Sequence, residues 1–386
     1  MRATGTSPGI RIYLDFNATT PVAPEVVTAM APFWTNHFYN PSAAYPEATM
    51  VHAAVDTARA AVGRLLGADP HSIVFTSGGT ESNNWVLHGA WRSRPSHRRR
   101  IILSAIEHPA VRETAAVLES LEAEIVTIPV DAHGVIRLDA LTTALDERTA
   151  MVSVMLANNE IGTLQPVAEI ARRAHAVGAW VHTDAAQAVG KIPVDVEYLG
   201  VDFLTVAGHK FYAPKGIGAL YIRPGVGLPP LLTGGGQQDG RRSGTEPVPL
   251  IVGLGKAAQL AHAWLHHGGP GRQAALRDAM QAHLHEATPA ITVFGAGAER
   301  LPNTVALAHP HCLGSTLLAA CPAIRASTGS ACHHPDDAGS PTLRAMGVAA
   351  SLARGLVRLS FGRETTVEDL KVTVTALTQA IQQLST

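Results

Sequence analysis

The stretch Asp202-Phe203-Leu204-Thr205-Val206-Ala207-Gly208-His209-Lys210 decides the fold. It is an apolar run of strand length that stops at a glycine and then presents a histidine and a lysine. Continuous apolarity, in place of strict alternation, is what a strand covered on both faces shows. Runs of the same kind, rich in Val and Ile, recur at Ser72–Thr76, Arg100–Ser104, Ile125–Pro129, Ala150–Met155, Trp180–Thr183 and Gly218–Ile222, with helical-looking segments between them. Strands alternating with helices predict an α/β chain whose mostly parallel sheet is doubly wound. Ligands of such sheets lie beyond the carboxyl ends of the strands. Asp184, His209 and Lys210 all sit at or just after such ends, so three polar candidates converge on one sheet edge. Farther on, residues 251–268 read as a long helix rich in Ala and Leu that stops at Gly268-Gly269-Pro270, punctuation suited to a domain hinge. The remainder, with strands near Thr304–Ala308 and Val357–Phe361, suits a smaller α+β domain.

A chain of 386 residues has room for two domains with full cores, and 46% hydrophobic against 16% charged residues is ordinary for a globular protein. A formal net charge of −1 gives no global attraction to nucleic acid or to an anionic membrane, and neither is expected as a direct partner. Arg92, Arg94, Arg98, Arg99 and Arg100 crowd one connection. They read as a solvated loop between a helix and a strand, with docking of an acidic partner as the alternative. Cys312, Cys321 and Cys332 make an odd count without metal-ligand spacing, so no metal site is predicted and a reducing compartment fits best. The opening residues lack an apolar signal core and no stretch is long and apolar enough to span a membrane, which together predict a cytoplasmic protein.

The chemistry-bearing candidates follow strand ends. A lysine such as Lys210 can hold an aldehyde cofactor as a Schiff base, while a carboxylate such as Asp184 keeps a pyridine nitrogen protonated and the ring able to absorb electrons. That pairing points to pyridoxal 5'-phosphate. Ser77-Gly78-Gly79-Thr80-Glu81-Ser82-Asn83-Asn84 places glycines between a strand and a helix, where free amides and the helix dipole can hold a phosphate; a tight strand-to-helix connection is the plain alternative. Glu107-His108-Pro109 puts an imidazole at the same edge, able to stack on a ring and move a proton. Asn159, in Asn158-Asn159-Glu160-Ile161-Gly162, and Gln187, in Asp184-Ala185-Ala186-Gln187, carry amides suited to a phenolic oxygen or a substrate carboxylate. Cys332 lies in a small, polar, Gly- and Pro-containing stretch from Ala326 to Pro341, which predicts an accessible loop and favours a reactive thiolate, whereas Cys312 and Cys321 sit among Leu and Ala as small core residues. The residues alone leave open whether Cys332 is catalytic.

With Asp15-Phe16-Asn17-Ala18-Thr19-Thr20-Pro21, Gly208-His209-Lys210-Phe211-Tyr212, Gly234-Gly235-Gly236-Gln237, Arg242-Ser243-Gly244-Thr245 and Gly329-Ser330-Ala331-Cys332 added, the motifs resemble in order those of the cysteine desulfurases of the aminotransferase class V family, over about residues 11–365. The resemblance implies a fold-type I pyridoxal-phosphate transferase. It implies a large cofactor domain over 20–262, and a small domain from 1–19 and 263–386 that carries the cysteine loop. By the same resemblance Lys210 is the Schiff-base lysine, Asp184 the pyridinium partner, Gln187 a ligand of the phenolic oxygen and His108 the stacking acid/base. Gly79, Thr80 and His209 hold the phosphate. Thr245 supplies a phosphate contact to the other subunit of a homodimer, and Asn159 and Arg358 clamp the substrate carboxylate. L-cysteine would become L-alanine, with a persulfide on Cys332 passed to a sulfur-acceptor protein, as in iron–sulfur cluster assembly or tRNA thiolation. Selenocysteine lyase, acting on L-selenocysteine, is the nearest alternative. One departure stands out. Many members carry Ser before Gly-His-Lys, and here Ala207 removes that phosphate donor unless Thr205 or a water replaces it.

Overall fold

The computed structural model describes residues 11–329 and 339–385. Twelve strands are present among them: β1 (Ile12–Tyr13), β2 (Ile73–Thr76), β3 (Arg100–Ser104), β4 (Glu124–Ile128), β5 (Thr149–Ser153), β6 (Trp180–Asp184), β7 (Phe203–Ala207), β8 (Gly218–Ile222), β9 (Thr292–Phe294), β10 (Thr304–Ala308), β11 (Ile324–Arg325) and β12 (Val357–Ser360). Seven form one sheet in the order β2-β8-β7-β6-β5-β3-β4. β8 alone runs antiparallel to its neighbours, and the other pairs are parallel. The seven apolar runs are the seven strands of this sheet.

Side-chain alternation explains why both faces are dry. On β7, Leu204 and Val206 join the cluster built with Val55, Ala58, Leu254 and Ala258 from the helices Pro46–Leu66 and Val248–His266. Phe203 points the other way, into a cluster with Trp85 and Val86 of the helix Gly79–Ser93. Every residue of β7 is therefore buried, whereas the edge strand β4 exposes Glu124 and Thr127. The helices Pro46–Leu66 and Val248–His266 approach so closely that a side-chain carbon on Gly255 would lie 2.5 Å from the Ala58 Cα. Only glycine fits that crossing.

Chain order reverses between β3, which continues to β4 on one side, and β5 on the other. That switch point opens a crevice beyond the carboxyl ends of the strands, and Glu107-His108 and Asn158-Asn159 both follow strands bordering it.

A second, antiparallel sheet has the order β12-β10-β9. The amino-terminal segment joins it: β1 pairs with β11, and Asp15 bridges to Ser360. Ile12, Leu14, Val305, Leu307, Val357, Leu359 and Phe361 form its core with Met280 and Leu377 from the helices Gly269–Ala287 and Val367–Ser385. Gly268-Gly269-Pro270 does punctuate, but between two helices. The first ends at His266, Gly268 takes φ +74°, and the second begins at Gly269 with proline in its first turn, where a missing N–H costs nothing.

The arginine cluster proves structural. Arg98 donates to the carbonyls of Thr149 and Val177 at 2.9 Å each. Arg99 donates to the Trp91 carbonyl and lies over its ring, 4.1 Å from the centroid, and Arg100 bridges Glu124 and Asp146 at 2.7 and 2.9 Å. These three guanidiniums tie neighbouring elements together around the start of β3, so neither a solvated loop nor an acidic docking patch describes them, while Arg92 of the same run stays exposed. Cys312 and Cys321 are buried, as their apolar neighbours predicted. Among the described residues no helix is long and apolar enough to cross a membrane, and none of the His, Cys, Asp and Glu side chains cluster as metal ligands.

Candidate active site

Gly208 lets β7 turn sharply, because a side-chain carbon there would lie 2.9 Å from the Ile217 carbonyl oxygen. The turn Gly208–Lys210 then delivers Lys210 to a cavity of about 300 Å³ beyond the sheet edge. Asn17, Thr80, His108, Asp184, Lys210 and Arg358 line it. That volume is at the lower end of the range for small-molecule sites.

The Lys210 Nζ donates to the carbonyls of Asn17 at 2.7 Å and Ala18 at 2.9 Å. Burial and then the Arg358 charge lower its pKa to about 8, with Asp184 and Asp15 opposing. A substantial fraction of the amine is therefore neutral, and nucleophilic, near neutral pH. Asp184 ends the adjacent strand β6. Its Oδ1 accepts from the Ala186 N–H at 2.9 Å and its Oδ2 from Asn83 Nδ2 at 2.7 Å, so the carboxylate is fixed by two neutral donors.

His108 caps the helix Pro109–Glu119, its Nδ1 accepting from the Ala110 N–H at 3.1 Å. The cap sets the tautomer: the neutral ring carries its proton on Nε2. The ring keeps an exposed face, but desolvation against the cavity wall lowers the His108 pKa, with Asp184 opposing and Lys210 and Arg112 helping, and so favours that neutral form. Glu107 beside it is buried and raised to about 8 by desolvation. Its Oε1 accepts from the Met155 N–H at 2.9 Å and from the Ser104 hydroxyl, while Oε2 has no partner among the described residues. At neutral pH Glu107 is thus mostly a carboxylic acid in the cavity wall.

The helix Gly79–Ser93 starts at Gly78 without a side-chain cap. A side-chain carbon on Gly218 would lie 2.7 Å from the Gly78 Cα, so glycine at 218 lets this turn lie against β8. Gly79 and Thr80 consequently present uncapped amides to the cavity. His209 lines the same end, with Nδ1 3.1 Å from the Thr19 hydroxyl. Burial and the Lys210, Lys215 and Lys191 charges lower it to about 4, so it is a neutral ring. The Thr205 hydroxyl is not free for this corner. It pairs with His182 Nε2 at 3.0 Å, and His182 Nδ1 pairs with the Ser153 hydroxyl at 2.8 Å.

At the opposite end, Arg358 donates through Nη1 to the Asn159 carbonyl at 2.9 Å and through Nη2 to Asp15 at 2.6 Å, and its buried Nε has no partner among the described residues. Asn159 also lines the cavity, as does Gln187, whose Nε2 donates to the Asn17 carbonyl at 2.9 Å. Nine of the sequence-derived residues, Gly79, Thr80, His108, Asn159, Asp184, Gln187, His209, Lys210 and Arg358, thus meet in one cavity. Thr245 does not: it is exposed, on a loop tied to the first turn of the helix Gly79–Ser93 by an Arg242–Glu81 ion pair at 2.9 Å. Cys332 lies outside the described residues. Sequence reading overlooked Asn17 and Asn83, and it took Glu107 for a neighbour of His108. Asn83 could have been inferred, being four residues beyond Gly79 on the same helix face.

The profile of the family described as aminotransferase class-V matches residues 12–372. The chain belongs to the aminotransferase class V family. Among class V relatives, a cysteine desulfurase of Gluconacetobacter diazotrophicus is 46% identical over 363 residues, covering 93% of this chain and 90% of that protein. The cysteine desulfurase IscS of Methanosarcina thermophila is 43% identical over 375 residues, 97% of this chain and 92% of that one. A solved NifS-like protein superposes with a TM-score of 0.91 at 35% identity, covering 97% of this chain and 100% of that chain. The α/β class V fold expected from the sequence is the one observed.

Proposed function

We propose that this chain is a pyridoxal-phosphate-dependent cysteine desulfurase that converts L-cysteine to L-alanine and takes the sulfur as a persulfide on Cys332. The observation that carries the reading is the half-buried Lys210 amine, lowered to about 8, in one cavity with Asp184 at the end of the adjacent strand. The cavity suits the cofactor. An uncapped helix start at Gly79 and Thr80, with neutral His209, offers N–H donors for a phosphate. Asp184 is held for a pyridine nitrogen, His108 presents a ring, and Gln187 an amide for the phenolic edge. When bound, the cofactor supplies an electron sink.

The protein groups do the rest. Arg358, whose Nε has no partner among the described residues, and the Asn159 amide take the substrate carboxylate. Lys210 removes and returns the α-proton, and His108 Nε2 carries a proton near the substrate side chain. The Cys332 thiolate attacks the substrate sulfur, so the carbon–sulfur bond breaks as the sulfur–sulfur bond forms. Gly329, three residues before Cys332, lines the cavity, as do Pro341 and Thr342 beyond it. Three residues reach about 10 Å, which supports this role. Mass spectrometry of the protein after exposure to cysteine tests it. Cys332→Ala is expected to abolish the persulfide while leaving the cofactor absorbance intact, and robust sulfide release by that variant would overturn the assignment.

Relatives named for desulfuration favour cysteine over selenocysteine as substrate. A homodimer is part of the reading, supported by Thr245 standing outside this chain's own cavity. So are division into domains 20–262 and 1–19 with 263–386, a sulfur-acceptor protein as partner, and a cytoplasmic location, the last supported by the reduced, buried Cys312 and Cys321.

Ala207 bears on cofactor retention. Its Cβ lies 3.4 Å from where a side-chain carbon on Gly79 would stand, beside the helix start, and Thr205 is engaged elsewhere. Ala207→Ser is therefore expected to tighten cofactor binding by about 1.5–3 kcal/mol. Dialysis against decreasing free cofactor, followed by absorbance, measures it.

A further inference from the structure

Gln187 does not hold its own orientation. It lies in the single turn after β6, where Ala188 and Val189 donate back to the Ala185 carbonyl, and Lys191 follows one turn later on the same side. The Lys191 Nζ donates to Gln187 Oε1 at 2.6 Å and to Asn17 Oδ1 at 2.7 Å. Gln187 Nε2 donates to the Asn17 main-chain carbonyl at 2.9 Å, which closes a ring through three residues. Asn17 is pinned in turn: Asn303 Nδ2 donates to its Oδ1 at 3.1 Å, its own Nδ2 donates to the Thr304 hydroxyl at 2.9 Å, and its N–H donates to the Ser360 hydroxyl at 2.9 Å. A flipped Gln187 amide would set its oxygen against the Asn17 carbonyl and its nitrogen against the lysine donors. The ring therefore leaves the second Nε2 hydrogen for the cavity. Charged or neutral, Lys191 keeps the two N–H groups the ring needs.

Lys191 is 6% exposed, it lines a small pocket together with Phe16, Phe211 and Phe361, and its bonding partners are amide oxygens. Burying an amine without a counter-ion is unfavourable unless its donors are satisfied, and here two amide oxygens satisfy them. We propose that Lys191 is a positioning residue for the cofactor's phenolic edge: it locks the Gln187 amide with its nitrogen toward the cavity and acts through Gln187, not on the reacting atoms. This rests on the cofactor reading above.

The test is the pH titration of the bound cofactor's absorbance in the holoenzyme. A fixed N–H donor at the phenolic oxygen stabilises its ionised form and lowers the basicity of the neighbouring cofactor nitrogen. Lys191→Met is expected to move the titration midpoint up by about one pH unit, and to move it little when Gln187→Ala is already present. Lys210, His209, Asp184, Arg358 and Asp15 also face this corner, and all stay in place in every arm. An unchanged midpoint, or an equal shift in both backgrounds, overturns the proposal. Should Lys191→Met fail to fold, Lys191→Gln keeps an N–H donor without charge. It titrates like the parent if donation matters, and shifts upward if charge does, which again overturns the proposal. A parent chain that takes up no pyridoxal phosphate defeats the cofactor reading itself, whereas uptake with identical titrations defeats this inference alone.

Discussion

Lys210→Ala is expected to lower cysteine turnover by about 10⁴-fold or more and to abolish borohydride trapping of the cofactor on the chain. Two functions should be lost together, since in the proposed scheme the same amine anchors the cofactor and moves the α-proton. The parent protein offers a companion measurement. With the amine lowered to about 8 by burial and the Arg358 charge, the reactive neutral form is the minor species below that pH and the dominant one above it. Covalent cofactor uptake by the cofactor-free protein should therefore accelerate as pH rises through about 8 and level off beyond it, and Lys210→Ala should show no such step. Trapping on a peptide containing Lys191 instead would remove Lys210 from the centre of the scheme. Lys191 is the informative competitor because it is a second lysine at this site, buried, with its pKa pushed well down by desolvation, Lys210 and Arg358. Its amine, however, is tied to the side chains of Asn17 and Gln187, whereas Lys210 reaches the wall of the main cavity.

The strands of the large sheet were legible because a sheet covered on both faces writes itself as unbroken apolar runs, and the site was legible because its residues punctuate the ends of those runs. Asp184, His108 and Lys210 are each a polar residue at the close of a buried strand, a contrast that a sequence displays directly. The antiparallel course of β8 was not visible, since Gly218–Ile222 is as apolar as its parallel neighbours and direction is set by the short return from Lys210 to Gly218. Nor was the part played by the amino-terminal segment. Asn17 receives donors from Gln187, Lys191, Lys210 and Asn303, contacts spread over hundreds of positions that no local pattern encodes. Lys191 was hidden for the opposite reason: lysine is normally a surface residue, so its burial becomes evident only once the packing around it is known. The arginine cluster misled through the same rule, its guanidiniums serving carbonyls at the ends of neighbouring elements.

Asp184→Asn is expected to reduce kcat on the order of 10²–10³-fold while the cofactor remains trapped at Lys210. In the parent, both carboxylate oxygens act as acceptors, one for the Ala186 N–H and one for Asn83 Nδ2. An asparagine has a single oxygen, so its NH2 group must face one of those two donors, and the side chain loses a bond as well as its charge. The proposed substrate clamp, Arg358 and Asn159, lies at the other end of the cavity, so KM should change far less than kcat; the loss is then of stabilisation needed only as negative charge spreads into the cofactor ring. Steady-state kinetics with cysteine, alongside borohydride trapping, separates these effects. A kcat within about threefold of the parent would mean that the carboxylate does not face the ring nitrogen, because a neutral amide cannot keep that nitrogen protonated as a carboxylate does.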